Sequence, residues 1–305
     1  MAELSTHHLS TEPRFRPFGL ECVDLNVDFS VATPVLVNQL LAVCADRSAD
    51  NPNVDDPIDS HIQVDSPPRI DNRAIDSCTI DSHIEASALM QWSLAKRLQA
   101  LLQLVIDTRG DALTLDVTCP RSSCREAIEL PVQLSWFLQP VEEGLLNCVV
   151  GEGVALTIRL PNGYDQLCWS QQAAQAGDVS AMFSRLLLAV NDRPVSADEM
   201  SVLLAELASL DTNWVERVEQ TLEQHDPLMT LELQTDCPAC GLQFNLPLDL
   251  ELQLLSLLQR EQRILFNQVH TLAQHYHWNE GDIMALPPRR RRYYISLLQR
   301  EEGWL

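Results

Sequence analysis

Basic side chains are scarce in this 305-residue chain, and lysine is almost absent. Lysine and arginine together number 21, against 43 aspartates and glutamates, so the formal net charge is -22. The single lysine, Lys96, lies in a leucine-rich stretch and does not end a glycine-rich turn, which excludes a phosphate-binding loop. So acidic a surface disfavours nucleic acid and anionic membranes unless a local basic patch overrides it.

Long apolar runs are also missing. No segment is long and apolar enough to cross a bilayer, and the N-terminus has no basic stretch followed by an apolar one. The sequence therefore predicts neither a membrane span nor a secretory signal, and we expect a cytoplasmic protein. Because thiols stay reduced in the cytoplasm, the nine cysteines are interpreted as buried small residues or metal ligands before disulfides.

The common catalytic signatures are absent as well. Gly151-Glu-Gly153 begins like a dinucleotide-binding fingerprint, but Leu156 stands where the third glycine belongs. The sequence contains no nucleophile elbow and no zinc-protease helix motif. We therefore expect a protein that is not an enzyme and has no small-molecule substrate.

Residues 46–85 differ in composition from the rest of the chain. They hold ten acidic side chains, three arginines and four prolines but no glycine, and an Ile/Val-Asp-Ser unit recurs four times. This pattern predicts a low-complexity, disordered insertion. An aspartate-rich calcium loop is the alternative, although the segment lacks the turn glycine and the alternating oxygen ligands of such a loop.

Elsewhere the apolar spacing is mostly helical. Ser196 and Glu199 form a capping-box pattern before a helix that should run past Leu222 and stop near Asp226-Pro227. The other predicted helices are one with a stripe at Leu94, Leu98, Leu101 and Val105, a long one with a stripe from Leu254 to Tyr276, and two short ones at about 280–285 and 289–300.

An internal repeat is the most specific feature of the sequence. Leucines precede Cys119 by six and four residues, and leucines precede Cys237 by the same intervals; each of these cysteines is followed by proline. The second cysteines, Cys124 and Cys240, are followed by matching apolar residues at four, six, seven and ten positions. The repeat thus predicts two strand–turn–strand knuckle hairpins, at 113–134 and 229–250.

Two such hairpins facing each other would give the four-thiolate tetrahedron that zinc prefers. We therefore predict a structural zinc site of Cys119, Cys124, Cys237 and Cys240, which closes a loop of more than a hundred residues. Four sulfurs leave no open position for a catalytic water. The alternative is a duplicated hairpin whose cysteines are merely buried, since the first pair encloses two more residues than the second.

These features together predict an α+β fold, mainly helical, with a discontinuous zinc-ribbon-like β core made of the two hairpins. The predicted organisation is an N-terminal segment (1–45), the acidic insertion (46–85), a body of helices and hairpins (86–250) and a C-terminal helical segment (251–305).

Near the C-terminus, Arg289, Arg290, Arg291 and Arg292 precede Tyr293 and Tyr294. Three interpretations of this basic patch remain open. It can be the solvated start of a helix, a docking surface for an acidic protein with Tyr294, Leu297 and Leu298 as apolar anchors, or a nucleic-acid contact.

Several blocks over residues 87–301 resemble the T-even-type baseplate hub assembly chaperones of contractile phage tails and phage-like injection particles. They are Cys119-Pro120 to Cys124, Ile158-Arg-Leu-Pro161, Asp226-Pro-Leu228 to Cys237-Pro-Ala-Cys240-Gly241, His275-Tyr-His-Trp278-Asn-Glu-Gly-Asp282-Ile-Met-Ala-Leu286, and Pro288 to Tyr294.

The resemblance implies a non-catalytic factor that assembles the baseplate by binding baseplate or tail proteins. Its expected partner surface consists of Trp278, Leu286, Arg289, Arg290, Arg291, Arg292 and Tyr294. The competing hypothesis is a zinc-ribbon adaptor that binds nucleic acid through the arginine run.

Overall fold

The computed structural model describes residues 13–45, 82–151, 153–173 and 179–302. In these ranges the helices are α1 (Thr33–Cys44), α2 (Ser82–Gln91), α3 (Leu94–Arg109), α4 (Gly163–Ala173), α5 (Val179–Ser184), α6 (Met200–Leu210), α7 (Trp214–His225), α8 (Leu250–Tyr276), α9 (Glu280–Ala285) and α10 (Pro288–Glu302). The strands are β1 (Ala112–Thr118), β2 (Ala127–Gln133), β3 (Leu145–Val150), β4 (Val154–Arg159), β5 (Leu187–Val190), β6 (Arg193–Pro194), β7 (Glu232–Asp236) and β8 (Gln243–Pro247).

The strands form three separate antiparallel sheets. β1 pairs with β2 and β7 pairs with β8, which confirms the two hairpins expected from the repeat. The third sheet has four strands in the order β3-β4-β5-β6 and was not expected from the sequence. The mixed helix and sheet class is therefore confirmed, with one sheet more than expected.

The main core joins the two ends of the chain. Leucines from α1, α3 and the first half of α8 pack with the inner ends of the hairpins; the fully buried members include Leu40, Leu41, Leu101, Leu102, Leu134, Leu254 and Leu258. These helices present apolar residues every three or four positions, which places one continuous stripe of each against its neighbours. The N-terminal segment and the first half of α8 thus share a core with the central body.

A second core lies in the stretch of chain between the two hairpins. One face of the four-stranded sheet packs on α6 and α7, and its fully buried residues include Leu156, Ile158, Leu186, Leu207 and Val218. This separate unit explains why the two halves of the repeat are so far apart in sequence.

Most predicted helices are present. α3 begins after Ser93, whose hydroxyl accepts a hydrogen bond from the Lys96 backbone N–H, and α8 begins after Asp249, which caps it in the same way. The short helices near 280–285 and 289–300 are α9 and α10.

The prediction of one helix from the Ser196–Glu199 capping pattern to Leu222 is wrong. The first helix starts only at Met200, and the chain breaks into α6 and α7 around Asp211. The Asp211 carboxylate accepts hydrogen bonds from the backbone N–H groups of Asn213 (2.9 Å) and Gly151 (3.0 Å). A short acidic side chain that binds nearby backbone in this way competes with the helical hydrogen bonds.

The predicted disordered insertion, with its alternative as a calcium loop, lies mostly outside the described residues, at 46–81. Its last part differs from the expectation, because residues 82–85 belong to α2. In the described part of the chain no helix combines the length and the apolar character needed to cross a membrane.

Candidate metal centre

The first knuckle hairpin positions Cys119 and Cys124 beyond the ends of β1 and β2. The Cys119 N–H donates to the Glu126 carbonyl (2.9 Å), which continues the strand pairing up to the first cysteine. The Arg121 carbonyl then accepts from the N–H groups of Cys124 (2.9 Å) and Arg125 (3.2 Å), which closes a tight turn. Both cysteines therefore lie at the same tip of the hairpin.

The second knuckle hairpin closes the corresponding turn with two residues fewer. The Cys237 N–H donates to the Leu242 carbonyl (2.9 Å), and the Gly241 N–H donates to the Cys237 carbonyl (2.8 Å). The Arg121 carbonyl therefore accepts the turn hydrogen bond in the first knuckle, as the Cys237 carbonyl does in the second. The two extra residues of the wider knuckle lie before the turn, so they do not separate its cysteines from the cluster.

The four sulfurs form one compact group. The Sγ atoms of Cys119 and Cys240 are 3.8 Å apart, as are those of Cys124 and Cys237, so each close pair joins the two hairpins. All four sulfurs lie within 4.8 Å of one another. A tetrahedral ion with metal–sulfur bonds of about 2.3 Å has sulfurs about 3.8 Å apart, so the group can hold a metal ion with little movement.

The protein supports this group with a small apolar cluster of its own. Ile128 is buried against Cys119 and Cys237, and Val117, Leu242 and Phe244 pack around them. Cys119 and Cys237 are buried, whereas Cys124 and Cys240 are partly exposed. The site is thus covered on the hairpin side and reachable from solvent on the other.

The metal-free thiols differ in acidity. Burial raises the pKa of Cys119 to about 12. Burial acts in the same direction on Cys237, but the backbone N–H groups of Cys240 and Ala239 favour the thiolate and lower its pKa to about 7. Because a metal ion binds thiolates, its binding must displace protons from this group, and the affinity should rise with pH.

The remaining cysteines of the described chain take no part in the cluster. Cys44 and Cys148 are buried in the two cores, Cys22 is exposed and Cys168 is half-buried. Cys78 falls outside the described residues.

The C-terminal helices bring most of the predicted partner residues to one region. The Trp278 ring stacks on Tyr276 (centroids 4.9 Å apart) and meets the edge of Tyr294 (5.2 Å), and Leu286 is half-buried in the turn before α10. Arg290 reaches the Tyr294 hydroxyl at 3.3 Å. These residues form an aromatic surface patch with arginines beside it.

The four consecutive arginines do not all face the same side of α10. Arg289, Arg290 and Arg292 are exposed, whereas Arg291 is only 2% exposed and donates to the Gly19 carbonyl at 2.8 Å. Successive residues turn by about 100° on a helix, so four in a row cannot all face solvent when one side packs on the core. Arg291 therefore holds α10 to the N-terminal segment. The exposed aromatic ring next to the arginines is Tyr293, which was not among the residues predicted for the partner surface.

Fold and site define a class: a mixed α and β protein in which two duplicated hairpins bring four cysteines into one group with the geometry to hold a metal ion. The family model described as T4 bacteriophage base plate protein matches residues 70–249. This match covers more than half of the chain and includes both hairpins, and the chain belongs to this family. Comparisons with curated proteins and with solved structures gave no match.

Proposed function

We propose that this protein is a non-catalytic assembly factor, either a chaperone or a minor component, for the baseplate of a contractile phage tail or phage-like injection particle. It would act in the cytoplasm of the producing cell by binding baseplate or tail proteins. Membership of the baseplate family is the observation that carries the proposal. The assembly role fits a fold in which four of the chain's own cysteines form a complete set of metal ligands.

The metal of this group is proposed to be zinc, with a structural role and a zinc-ribbon-like arrangement of the hairpins. Thiolates select zinc among the common divalent ions, and four of them satisfy its tetrahedral preference. The sulfur spacing of 3.8 Å supports that choice. Zinc would then fasten hairpins whose close cysteine pairs are 121 and 113 residues apart in sequence.

The partner surface is proposed to be the patch of aromatic rings and arginines at α9 and α10. Its exposed cations are Arg289, Arg290 and Arg292, with Trp278, Leu286 and Tyr294 as apolar contacts. This surface suits an acidic partner with one or two apolar anchors, because interface arginines and aromatic residues combine charge with buried area.

Assembly in the presence and absence of the chain tests the proposed role. The baseplate proteins of the source genome would be co-expressed with the wild-type chain, without it, and with a variant carrying Arg289→Glu, Arg290→Glu and Arg292→Glu. Electron microscopy should show baseplates only with the wild-type chain. Complete baseplates in equal number without the chain would refute the role, and mass spectrometry of finished particles distinguishes a departing chaperone from a retained component.

The three exposed arginines and Tyr293 also favour the nucleic-acid alternative enough to test it. Binding of the wild-type chain to duplex DNA and single-stranded RNA would be measured at rising salt. An adaptor should bind in the low-micromolar range or better, with a log–log salt slope near -0.9 per phosphate contacted on duplex DNA. We expect no such binding, because the net charge of -22 opposes it.

A further inference from the structure

The four-stranded sheet has two very different edges. β6 is protected, since it has only two residues, Arg193 and Pro194, which supply a charge and a proline. β3, at the other edge, has the sequence LLNCVV, with six residues, no charge and no proline. The strands of the two hairpins, β1, β2, β7 and β8, also have open edges, but each of them contains an acidic residue or a proline.

At alternate residues of β3, the backbone N–H and C=O groups point away from β4, toward the open edge of the sheet. Ala155 and Arg159 of β4 direct their main-chain groups toward β5, because Asn191 N–H donates to the Ala155 carbonyl (2.8 Å) and Arg159 N–H donates to the Leu186 carbonyl (2.9 Å). Their partners across the ladder are Val149 and Leu145.

In an antiparallel pair the N–H and C=O of one residue point to the same side. Val149 and Leu145 must therefore direct theirs away from β4, and Asn147 does so by alternation. None of these outward groups has a hydrogen-bond partner among the described residues.

The side chains of the same three residues are also uncovered. Leu145 is 60% and Val149 59% exposed, and both lie on the sheet face opposite to the one covered by α6 and α7. An incoming strand would find hydrogen-bonding groups along the edge and apolar side chains on the open face, which is the arrangement used in strand addition.

The surroundings of this edge are acidic. α7 runs along β3 on the covered face, since Asp211, three residues before its start, accepts from the Gly151 N–H and His225 at its end contacts the Glu142 carbonyl. The side of α7 that faces solvent, away from the sheet, carries Glu216, Glu219 and Glu223. At the edge itself, Glu142 and Glu143 lie just before β3 and are exposed. The charge therefore favours a basic occupant and disfavours a second copy of this acidic chain.

We propose that β3 is a docking edge for an extended segment of a partner protein in which apolar and basic residues alternate. Apolar side chains of that segment lie beside Leu145 and Val149, and its lysines or arginines lie near Glu142 and Glu143 at the start of β3. The proposal rests on the proposed function, because it adds a second contact surface to the assembly factor and specifies the chemistry that this surface accepts.

The test uses the full chain and two peptides of equal length, one alternating valine with lysine and the other alternating valine with glutamate. Hydrogen exchange should slow at the amides of Leu145, Asn147 and Val149 only with the lysine peptide. Asn147→Pro removes an outward N–H and should weaken peptide binding at least tenfold while leaving the pairing with β4 intact.

A matched pair of variants covers the case in which the proline disturbs the sheet. Val149→Lys should also weaken binding at least tenfold, whereas Val202→Lys, at a position on α6 that is 62% exposed, should not. Absence of protection at the three amides, or equal protection by the glutamate peptide, would overturn the proposal. Slow exchange at these amides in a dimer without peptide would also overturn it and identify a second copy as the occupant.

This experiment needs no baseplate protein. Failure of the peptide test would leave the assembly experiment unaffected, and normal baseplates without the chain would refute the assembly role even if the peptide bound.

Discussion

Gly241 and Arg125 occupy equivalent positions in the two knuckle turns, one residue after the second cysteine. Both have left-handed backbone conformation, with φ values of 67° and 52°. Glycine adopts this conformation without cost, whereas a residue with a Cβ is disfavoured there by about 1–2 kcal/mol. The first knuckle is thus held in shape by its surroundings, and the second is favoured by its own backbone.

Gly241→Ala should lower the free energy of unfolding of the metal-loaded protein by about 1 kcal/mol. The cost is conformational, because no other atom lies within 4 Å of the added Cβ. Urea denaturation measures the effect, and Arg125→Gly serves as the reciprocal variant, which should be neutral or stabilising. An unchanged midpoint for Gly241→Ala would contradict the assigned turn.

Arg97 is the second residue with a role beyond its own helix. It is fully buried on α3 and donates to the carbonyls of Pro34 (2.7 Å) and Leu89 (2.8 Å), so it links α3 to α1 and α2. Burial lowers the pKa of Arg97 to about 10, against the opposing effect of Glu251. A Cβ at Gly163 would lie 2.9 Å from its guanidinium carbon, so α4 can approach only through a glycine.

Arg97→Met should destabilise the protein by about 2–4 kcal/mol, because two buried carbonyls lose their donors. Arg109→Met, an exposed position on the same helix, is the control and should change stability by less than about 0.5 kcal/mol. Thermal melting of both variants gives the comparison. Equal melting temperatures would show that Arg97 does not hold these helices together.

At the scale of elements, Asp165 fixes the start of α4 to the four-stranded sheet. Its buried carboxylate accepts from both terminal nitrogens of Arg159 on β4, from the Asn162 N–H (3.0 Å) and from Arg185 (3.3 Å). Burial alone would raise the pKa of Asp165, but these donors outweigh it and lower the pKa below its usual value.

The lowered pKa of Asp165 determines the direction in which the stability of the protein changes with pH. A carboxyl with a lowered folded-state pKa adds stability above its unfolded pKa of about 3.9, and that stability is lost as the pH falls through the folded-state value. Asp165→Asn should cost about 2–3 kcal/mol at pH 7, less than a fully buried pair because both arginines are partly exposed. Denaturation from pH 7 to below pH 4 should show a shallower acid loss in the variant, and parallel curves would refute this role.

At the scale of the whole molecule, the cysteine group brings together two hairpins that are distant in sequence. The main core contains α1, α3 and α8, while the second core lies wholly in the sequence between the hairpins. A bound ion would therefore secure the point where the chain leaves the main body and the point where it returns.

Removal of the metal should loosen both hairpins together. One zinc per chain is expected in protein purified under reducing conditions, and the double variant Cys237→Ser, Cys240→Ser should contain none and melt earlier. Structural zinc sites contribute on the order of 10 kcal/mol of apparent binding free energy at neutral pH, so the loss should be large.

The control for metal removal is the double variant Cys22→Ser, Cys168→Ser, which changes two cysteines outside the group and should keep the metal. If the cluster variant does not fold, titration of the wild-type chain with a chelator gives the same comparison. A metal-free wild-type protein that melts no earlier after the cluster substitutions would end the zinc proposal.

The repeat and the helical stripes were accessible from sequence for a simple reason. Matching intervals around the cysteines are a local code for a turn between two strands, and leucines at helical spacing define one buried face. The stripes at Leu94–Val105 and Leu254–Tyr276 lie within α3 and α8, and the short helices predicted at about 280–285 and 289–300 are α9 and α10.

The features that the sequence did not predict depend mainly on contacts between residues far apart in the chain. The break at Asp211 depends on Gly151, which is 60 residues away, and the burial of Arg291 depends on Gly19, which is 272 residues away. The four-stranded sheet was missed because β3 is apolar except for Asn147 and β6 has only two residues, so neither shows a clear alternation.

The sequence by itself determined which cysteines belong together, where the hairpins turn and which helix faces are apolar, because each depends on spacing along a short stretch of chain. Only the tertiary structure decided which arginine is buried, where α6 ends and which strand edge stays open. Those outcomes depend on groups far apart in sequence that compete for the same hydrogen bonds and the same buried space, and no local pattern encodes that competition.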